Sequence, residues 1–471
     1  MRFDSASSKQ LEGKRVTVVG LGIEGVDLVR FLASEGARVT VSDARRREAL
    51  PPTLDEVLAL ADRLSLGAND PAVLLDAEAV YVSQGVPWHL PALDEARGRG
   101  IVVSSMSRLF FERCPQPVAG ITGSSGKTTT TALVAAMLAE AGLDHVVGGN
   151  IGVGLLGLLP SIHEGTRVLV ELSHTQLESL DVSPRWALIT NVTPNHLDRF
   201  SWGDYVGLKR RIVEFQDPDD LAIFNADDAV SQEIASNAVA EHRFTSLRGA
   251  LPGDGVMLVP SRDGERIVRL EGGSRLEVMP RAEIRLRGEH NVANVLAALA
   301  LSWHLGVPDE AAAAAVRAFG GVPHRLEAVG RVGGVDYVND SIATTPERTL
   351  AGLRSFDEPI VLLLGGRDKD LPTSELATEA ASRCRAVVGF GEAGPLYVDA
   401  VRAAAPGLPI EVVSSVEEAV ASASRLAVAG DVVLFSPAGT SFDAYPNFER
   451  RGEAFRAAVA RLDGARDGSV E

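Results

Sequence analysis

Short apolar, β-branched runs alternate with longer stretches of helical periodicity along most of the chain, the pattern of parallel sheets covered by helices. RVTVVG (15–20) reads as a strand, the residues to about Ser34 as a helix and RVTVSD (38–43) as a second strand, a βαβ unit. FERCPQP (111–117) sets two prolines ahead of the next strand, VAGIT, and marks a boundary near 114–116. The second stretch carries strands at RVLVEL (167–172), WALITNV (186–192) and LAIFNADD (221–228), then β-rich material over 256–280 and an alanine-rich helix, NVANVLAALALSWHL. GGVPHRLEAV (320–329) interrupts the helical pattern and reads as a second linker before a hairpin at RVGGV. Strands at VDYVND (335–340), PIVLLLGG (359–366), RAVVGFG (385–391) and DVVLFSPAG (431–439) predict a second doubly wound sheet. The pattern thus predicts an α/β protein of three units, with no internal repeat.

Length and charge narrow the class. At 471 residues each unit is long enough to bury its own core. Two cysteines, Cys114 and Cys384, are too few for a disulfide framework or a cysteine-built metal site, which fits a reducing compartment. The first residues lack an apolar leader-like run, and the longest apolar stretch is broken by glycine and proline, so a cytoplasmic protein with no membrane partner is expected. A net charge of −17 opposes a nucleic-acid partner. Lysine occurs only at 9, 14, 127, 209 and 369, which makes each one easy to weigh.

Four features could carry chemistry. Gly20-Leu21-Gly22-Ile23-Glu24-Gly25 lies between a strand and a helix, with Asp43 ending the next strand, and reads either as a dinucleotide fingerprint or as a packing turn. Thr122 to Thr129, TGSSGKTT, follows a strand and opens a helix, so its backbone N–H groups can cradle phosphates, Lys127 can reach them and Thr128 can ligate Mg²⁺. The loop departs from the usual spacing, with Ile121 in the first glycine position. Glu171, His196 and Asp198 fall at carboxyl ends of expected parallel strands beside that loop, an oxygen-rich set with one imidazole that suits Mg²⁺ or Mn²⁺. Lys209, beside two arginines, reads as part of a solvated helix face, and Lys369 in GGRDKDLP as a surface lysine.

These residues together resemble the Mur ligases, the ATP-dependent amide-bond-forming enzymes of peptidoglycan precursor synthesis. TGSSGKTT, GNIG (149–152), ELSHTQLE (171–178), NVTPNHLDR (191–199) and GEHNVANVLAAL (288–299) appear in the family's order, followed by PHR (323–325) and NDSIAT (339–344). The GLGIEG opening, the ELS strand end and SPAGTSFDAYPNFERRG (436–452) look most like the branch that adds glutamate to UDP-N-acetylmuramoyl-L-alanine.

The resemblance implies a Rossmann-like N-terminal domain over 1–114, a central P-loop ATPase α/β domain over 115–322 and a Rossmann-like C-terminal domain over 323–471. UDP, not NAD, would meet the GLGIEG turn, with Gly22, Asp43, Arg45, Ser83 and Gly85 near the uridine diphosphate and Asn150 and His196 near the muramoyl-alanine. ATP would lie on Gly123, Ser124, Ser125, Gly126, Lys127, Thr128 and Thr129, with Asn291, Asn294, Arg325 and Asp340 completing its site. Two Mg²⁺ ions are implied, one on Thr128 and Glu171, the other on His196 and a carbamylated Lys209, which lies four residues after Tyr205 as in the family. Lys127, Glu171, His196 and Lys209 would be the catalytic set, with His196 also the candidate base for the incoming amine. Thr344, Lys369, Ser441 and Phe448 would hold the glutamate. A monomer is expected.

The sequence departs from the family at several points. Ile342 replaces the usual lysine of NDSKAT, Gln84-Gly85 replaces Pro-Gly after Ser83, and His174-Thr175-Gln176 replaces SFQ. The competing readings are a ligase of L-glutamate, another amide ligase of the superfamily such as the alanine-adding one, an NAD oxidoreductase resting on GLGIEG, and a non-catalytic nucleotide-binding descendant.

Overall fold

The structure, a computed structural model, describes residues 11–195, 199–286, 288–369 and 371–467. The chain forms two compact units, one running to Phe319 and the other beginning at Gly320. The first unit holds two sheets and the second unit one.

The N-terminal sheet consists of β1 (Arg15–Val19), β2 (Arg38–Asp43), β3 (Arg63–Leu66), β4 (Ala79–Val82) and β5 (Val102–Ser105). All are parallel, in the order 3-2-1-4-5. Chain order reverses between β1 and β4, so their carboxyl ends open a crevice lined by the Gly20–Gly25 turn and the Ser83–Gly85 loop. Period-two alternation puts Val16 and Val18 in one core and Val19 in another, on opposite faces of the sheet.

The second sheet has nine strands: β6 (Val118–Thr122), β7 (His145–Gly149), β8 (Arg167–Glu171), β9 (Trp186–Ile189), β10 (Leu221–Asn225), β11 (Glu241–Ser246), β12 (Gly255–Ser261), β13 (Gly264–Glu271) and β14 (Ser274–Pro280). They run in the order 14-13-12-11-10-9-6-8-7. Six neighbouring pairs from β7 to β12 are parallel, and the β-rich segment after residue 255 extends them as an antiparallel meander. The alanine-rich segment forms the Glu289–His304 helix, whose Val295, Leu296 and Leu299 pack with Leu133, Val134 and Met137 of the Lys127–Glu140 helix. The other face shares one core with the N-terminal sheet, in which Leu28, Val29 and Leu32 join Leu155, Val170 and Leu172.

Two expected strands are shorter than their apolar patterns. β9 stops at Ile189 and β10 at Asn225, because the polar residues that follow turn to other partners. β3, β4, β5, β7, β11 and, in the second unit, the strand Ile410–Val412 were not among the expected strands; at three to six residues each they are too brief to show a clear alternation.

In the second unit, β15 (Glu327–Val332), β16 (Val335–Asn339), β17 (Ile360–Gly365), β18 (Cys384–Phe390), β19 (Ile410–Val412) and β20 (Val432–Ala438) form a sheet in the order 15-16-20-17-18-19. β15 and β16 make the expected antiparallel hairpin, while the other pairs are parallel. The near-continuous apolar runs of β17 and β20 are what a sheet covered on both faces requires, and their residues divide between two cores. Phe435 stacks on Phe455 of the closing helix at 4.6 Å between centroids.

Among the described residues, no helix is long and apolar enough to cross a membrane. Burial raises both cysteine thiols, Cys384 to about 12.

A Cβ on Gly25 would overlap the carbonyl oxygen of Gly20, so the Ile23–Ser34 helix lies against β1 at a distance that admits only glycine. Gly25→Ala is expected to cost about 3 kcal/mol of stability through this overpacking, read as a lower Tm and a lower denaturant midpoint with unchanged slope.

Candidate active site

The phosphate loop is held open by its neighbours. Gly123 has φ +150 and Gly126 φ +81, conformations that disfavour a side chain, and a Cβ on either would collide, with Thr190 Oγ1 and Asn294 Oδ1 respectively. The Ser124 N–H donates to the Asn191 carbonyl at 2.8 Å and the Ser125 N–H to Asn191 Oδ1 at 3.1 Å. Thr190 Oγ1 donates to the Ser125 carbonyl at 2.6 Å. These are the polar residues that leave the strand after Ile189. Asn294, 5% exposed, donates to Asn291 Oδ1 at 3.1 Å, so the two asparagines expected at the nucleotide lie together under the loop. Lys127 folds back to donate to the Gly123 and Ser124 carbonyls at 2.9 and 3.2 Å. Thr128 and Thr129 lie half-buried in the first turn, where backbone N–H groups lack intrahelical acceptors and favour an anion.

Beside the loop lies a buried carboxylate and a buried lysine. Glu171 is fully buried at the end of β8; its Oε1 accepts from Asn150 Nδ2 at 2.8 Å, and its Oε2 has no hydrogen-bond partner. Lys209 is 1% exposed, and its Nζ donates to Thr122 Oγ1 at 3.2 Å. The solvated-face reading of Lys209 is therefore overturned. The Trp202–Glu214 helix turns its Tyr205, Lys209, Ile212 and Val213 side into the protein, and the flanking arginines hid that stripe. Burial first, then the charge of Lys127, hold Lys209 well below the usual lysine range, with Glu171 opposing. Tyr205 reaches Ser124 Oγ at 3.0 Å, tying that helix to the phosphate loop.

An orphaned carboxylate oxygen inside the protein is costly unless a cation or a proton completes it. Glu171 Oε2, near a loop built for phosphates, fits a hard cation such as Mg²⁺ whose remaining positions are filled by phosphate oxygens or water. Among the described residues no three His, Cys, Asp or Glu side chains cluster to make a closed site. His196 and Asp198 lie outside the described residues.

At the N-terminal sheet, Asp43 Oδ2 accepts from the Leu21 N–H at 2.8 Å, and Arg45 donates to both Asp43 oxygens. Burial pushes this carboxyl up, but the Arg45 and Leu21 hydrogen bonds outweigh it and hold it below the ordinary range. Asp43 is thus committed to fixing the turn, leaving the half-exposed Arg45 guanidinium at the crevice. Ser83 Oγ sits 3.3 Å from where a Cβ on Gly22 would be, and Gly85 is exposed with nothing crowding it. Five of the residues expected near UDP therefore cluster around one crevice. Glu24 and Gln84, not among the expected site residues, bridge it to the second sheet.

The second unit gathers its own set. Lys369 is exposed, as expected, and donates to Thr344 Oγ1 at 3.4 Å. Ser341 Oγ donates to the Phe448 carbonyl at 2.8 Å, and Ser441 is buried in the preceding turn. Arg451, fully buried, donates to Ser341 Oγ, the Ser341 carbonyl and the Gly439 carbonyl at 3.1, 2.8 and 2.9 Å. Burial draws its guanidinium down to about 10. Arg451 was missed because one of the two adjacent arginines in FERRG carries no sign in the sequence that it points inward. Asp340 accepts from Ser436 Oγ at 2.7 Å and the Leu326 N–H at 3.2 Å, in the range of the Arg325 charge.

Fold and site together define a phosphate-loop α/β enzyme. Residues 14–105 match the Mur ligase MurD-like N-terminal domain, 121–302 the Mur ligase middle domain and 324–439 the Mur ligase glutamate ligase domain. The chain is 38% identical over 450 residues to the UDP-N-acetylmuramoylalanine--D-glutamate ligase of Symbiobacterium thermophilum, covering 95% of this chain and 98% of that protein. It is 40% identical over 465 residues to the protein of the same name from Roseiflexus, covering 96% and 99%. The crystal structure of the UDP-N-acetylmuramate-alanine ligase MurC from Thermotoga maritima shares the fold, with a TM-score of 0.54 at 20% identity over 96% of this chain and 100% of that one. The chain belongs to the Mur ligase family.

Burial raises the Asp340 carboxyl to about 7, against the Ser436 and Leu326 hydrogen bonds and the nearby arginines. The folded state therefore holds this proton more tightly than the unfolded chain, so the associated stability is full below about pH 4 and is lost as pH rises through about 7. Asp340→Asn removes that dependence: between about pH 5 and about 8 its Tm is expected to fall less than that of the wild type in scanning calorimetry.

Proposed function

We propose that the chain is an ATP-dependent ligase that joins D-glutamate to UDP-N-acetylmuramoyl-L-alanine in peptidoglycan precursor synthesis. It would act as a cytoplasmic monomer, with domains over 1–114, 115–322 and 323–471. The observation that carries the reading is the half-satisfied Glu171 and the buried Lys209 flanking a glycine-strained phosphate loop. The acceptor and amino acid are supported by relatives of that name at 35–40% identity along nearly the whole chain, which lend nothing to the L-glutamate alternative.

In this reading Gly22, Asp43, Arg45, Ser83 and Gly85 bind the UDP end, with Asn150 and His196 toward the muramoyl-alanine. Gly123 to Thr129, Asn291, Asn294, Arg325 and Asp340 bind ATP. Lys127 leaves the loop carbonyls for the phosphates, where its charge stabilises the transferring group. The alanyl carboxylate oxygen attacks the γ-phosphorus, the bond to the β-bridging oxygen breaks, and ADP leaves an acyl phosphate. The neutral amine of glutamate, held by Thr344, Lys369, Ser441 and Phe448, then attacks the acyl carbon. The tetrahedral adduct expels phosphate and the amine proton passes to a base. Thr128 and Glu171 would hold one Mg²⁺ and His196 with carbamylated Lys209 a second, and the ions would supply charge neutralisation on the phosphates.

Lys209 supports this arrangement through its depressed basicity. A neutral amine adds CO₂ and loses a proton, becoming a carboxylate-bearing carbamate that a cation attracts where an ammonium would be repelled. Labelling with ¹³CO₂ is expected to give a carbamate signal in the wild type that Lys209→Arg lacks, and the same variant should lose more than about 100-fold in kcat.

The reading as a whole is tested by phosphate release with ATP, Mg²⁺ and UDP-N-acetylmuramoyl-L-alanine, supplied in turn with D-glutamate or L-glutamate, and with L-alanine plus the unalanylated nucleotide. Release with D-glutamate alone is expected; release with another pair would move the substrate assignment, and none with any pair would refute the ligase.

A further inference from the structure

Gln84 lies in the loop after β4 and its side chain reaches across to the second sheet. Its Nε2 donates to Ser173 Oγ at 2.7 Å and Thr175 Oγ1 at 2.8 Å, with a longer contact of 3.4 Å to Asn150 Oδ1. Its backbone N–H donates to Glu24 Oε2 at 2.9 Å, and Glu24 Oε1 accepts from Gln176 Nε2 at 2.8 Å. Asn150 in turn turns its Nδ2 to Glu171 Oε1 at 2.8 Å.

The two points at which the sequence leaves the Mur ligase pattern here fit each other. Proline at 84 would have neither the backbone N–H nor the side-chain donor, and phenylalanine at 175 would offer no acceptor. Glutamine and threonine supply a donor and an acceptor that meet at 2.8 Å.

The bonds also fix an orientation. A primary amide has a donor end and an acceptor end, and only its partners decide which way it points. The Gln84 amide nitrogen, its two hydrogens directed to Ser173 and Thr175, turns its positive end to Asn150 Oδ1 at 3.4 Å and so favours the Asn150 donor toward Glu171, where it engages Oε1 while Oε2 has no partner. Turned over, Asn150 would set its oxygen against a buried carboxylate.

We propose that Gln84 is a positioning residue that sets the orientation of Asn150 and, through it, the carboxylate oxygen that Glu171 offers to a divalent cation. This rests on the reading of Glu171 as a metal ligand given above. Groups one step removed from a metal ordinarily change affinity by about 10- to 100-fold when lost.

The test is Mn²⁺ binding to the full chain with ATP, followed by electron paramagnetic resonance, together with the Mg²⁺ dependence of phosphate release. Gln84→Ala is expected to weaken Mn²⁺ binding about 10-fold and to raise half-saturating Mg²⁺ to match, with kcat recovered at saturating Mg²⁺ and the KM for glutamate unchanged. Gln84→Glu, of the same shape but without the donor, should behave like the alanine variant. Thr175→Val, which leaves Asn150 and Glu171 intact, should give a smaller shift in the same direction, and combined with Gln84→Ala no further one. Equal Mn²⁺ affinity in wild type and Gln84→Ala, or a fall in kcat that saturating Mg²⁺ does not restore, would overturn the proposal and leave Gln84 a packing residue. Failure of the wild type itself to bind Mn²⁺ with ATP would overturn the reading of Glu171 and this proposal with it.

Discussion

A carboxylate with no exposed surface and one unsatisfied oxygen is the constraint around which the first unit is organised. Glu171 is carried to its position by β8, between β6 and β7, so it cannot swing out to water without breaking the sheet. Leaving such a group uncompensated costs several kcal/mol. The surroundings answer in kind: Asn150 donates to one oxygen, Lys209 is buried nearby with Thr122 as its hydrogen-bond partner, and the phosphate loop opens a few residues along the neighbouring strand. In the proposed function, the cation that would relieve the carboxylate is the one that an ATP site requires.

The same unit joins its two sheets by a mixture of apolar and polar contacts. The shared core supplies nondirectional adhesion, while Glu24, Asp27 and Gln84 fix the register of one sheet on the other. Asp27 accepts from the Leu156 and Gly157 N–H groups at 2.7 and 2.9 Å, so a carboxylate on the first helix caps the start of the turn between β7 and β8. Burial raises both Glu24 and Asp27 against those hydrogen bonds, which is the cost of directional contacts in a place that excludes water.

In the second unit the corresponding organiser is a cation. Arg451 spends three of its donors on Ser341 and Gly439, and thereby ties the loop after β16 to the loop after β20. Around that tie the backbone accepts conformations it would otherwise avoid, with φ of 63 at His324, 43 at Leu326 and 67 at Ala438. The residues expected to meet glutamate fall on these loops and on the one after β17.

Much of this was written in one dimension. Alternation of apolar runs with helical stretches determined an α/β protein with parallel sheets, because burial on both faces demands apolar strands. The glycines and lysine of TGSSGKTT determined the phosphate loop, since few other residues tolerate those backbone angles beside a phosphate. Lys209 was different. Its neighbours in sequence are arginines, so the charge pattern read it as solvated and only the family resemblance placed it at the site; the packing of its helix on β6 makes it a buried amine of depressed basicity. Arg451, and the pairing of Gln84 with Thr175, also depended on tertiary structure, since these partners lie 110 and 91 residues apart. Local geometry is fixed by neighbours along the chain and so can be read from it, whereas desolvation and hydrogen-bond partnership depend on which distant surfaces meet.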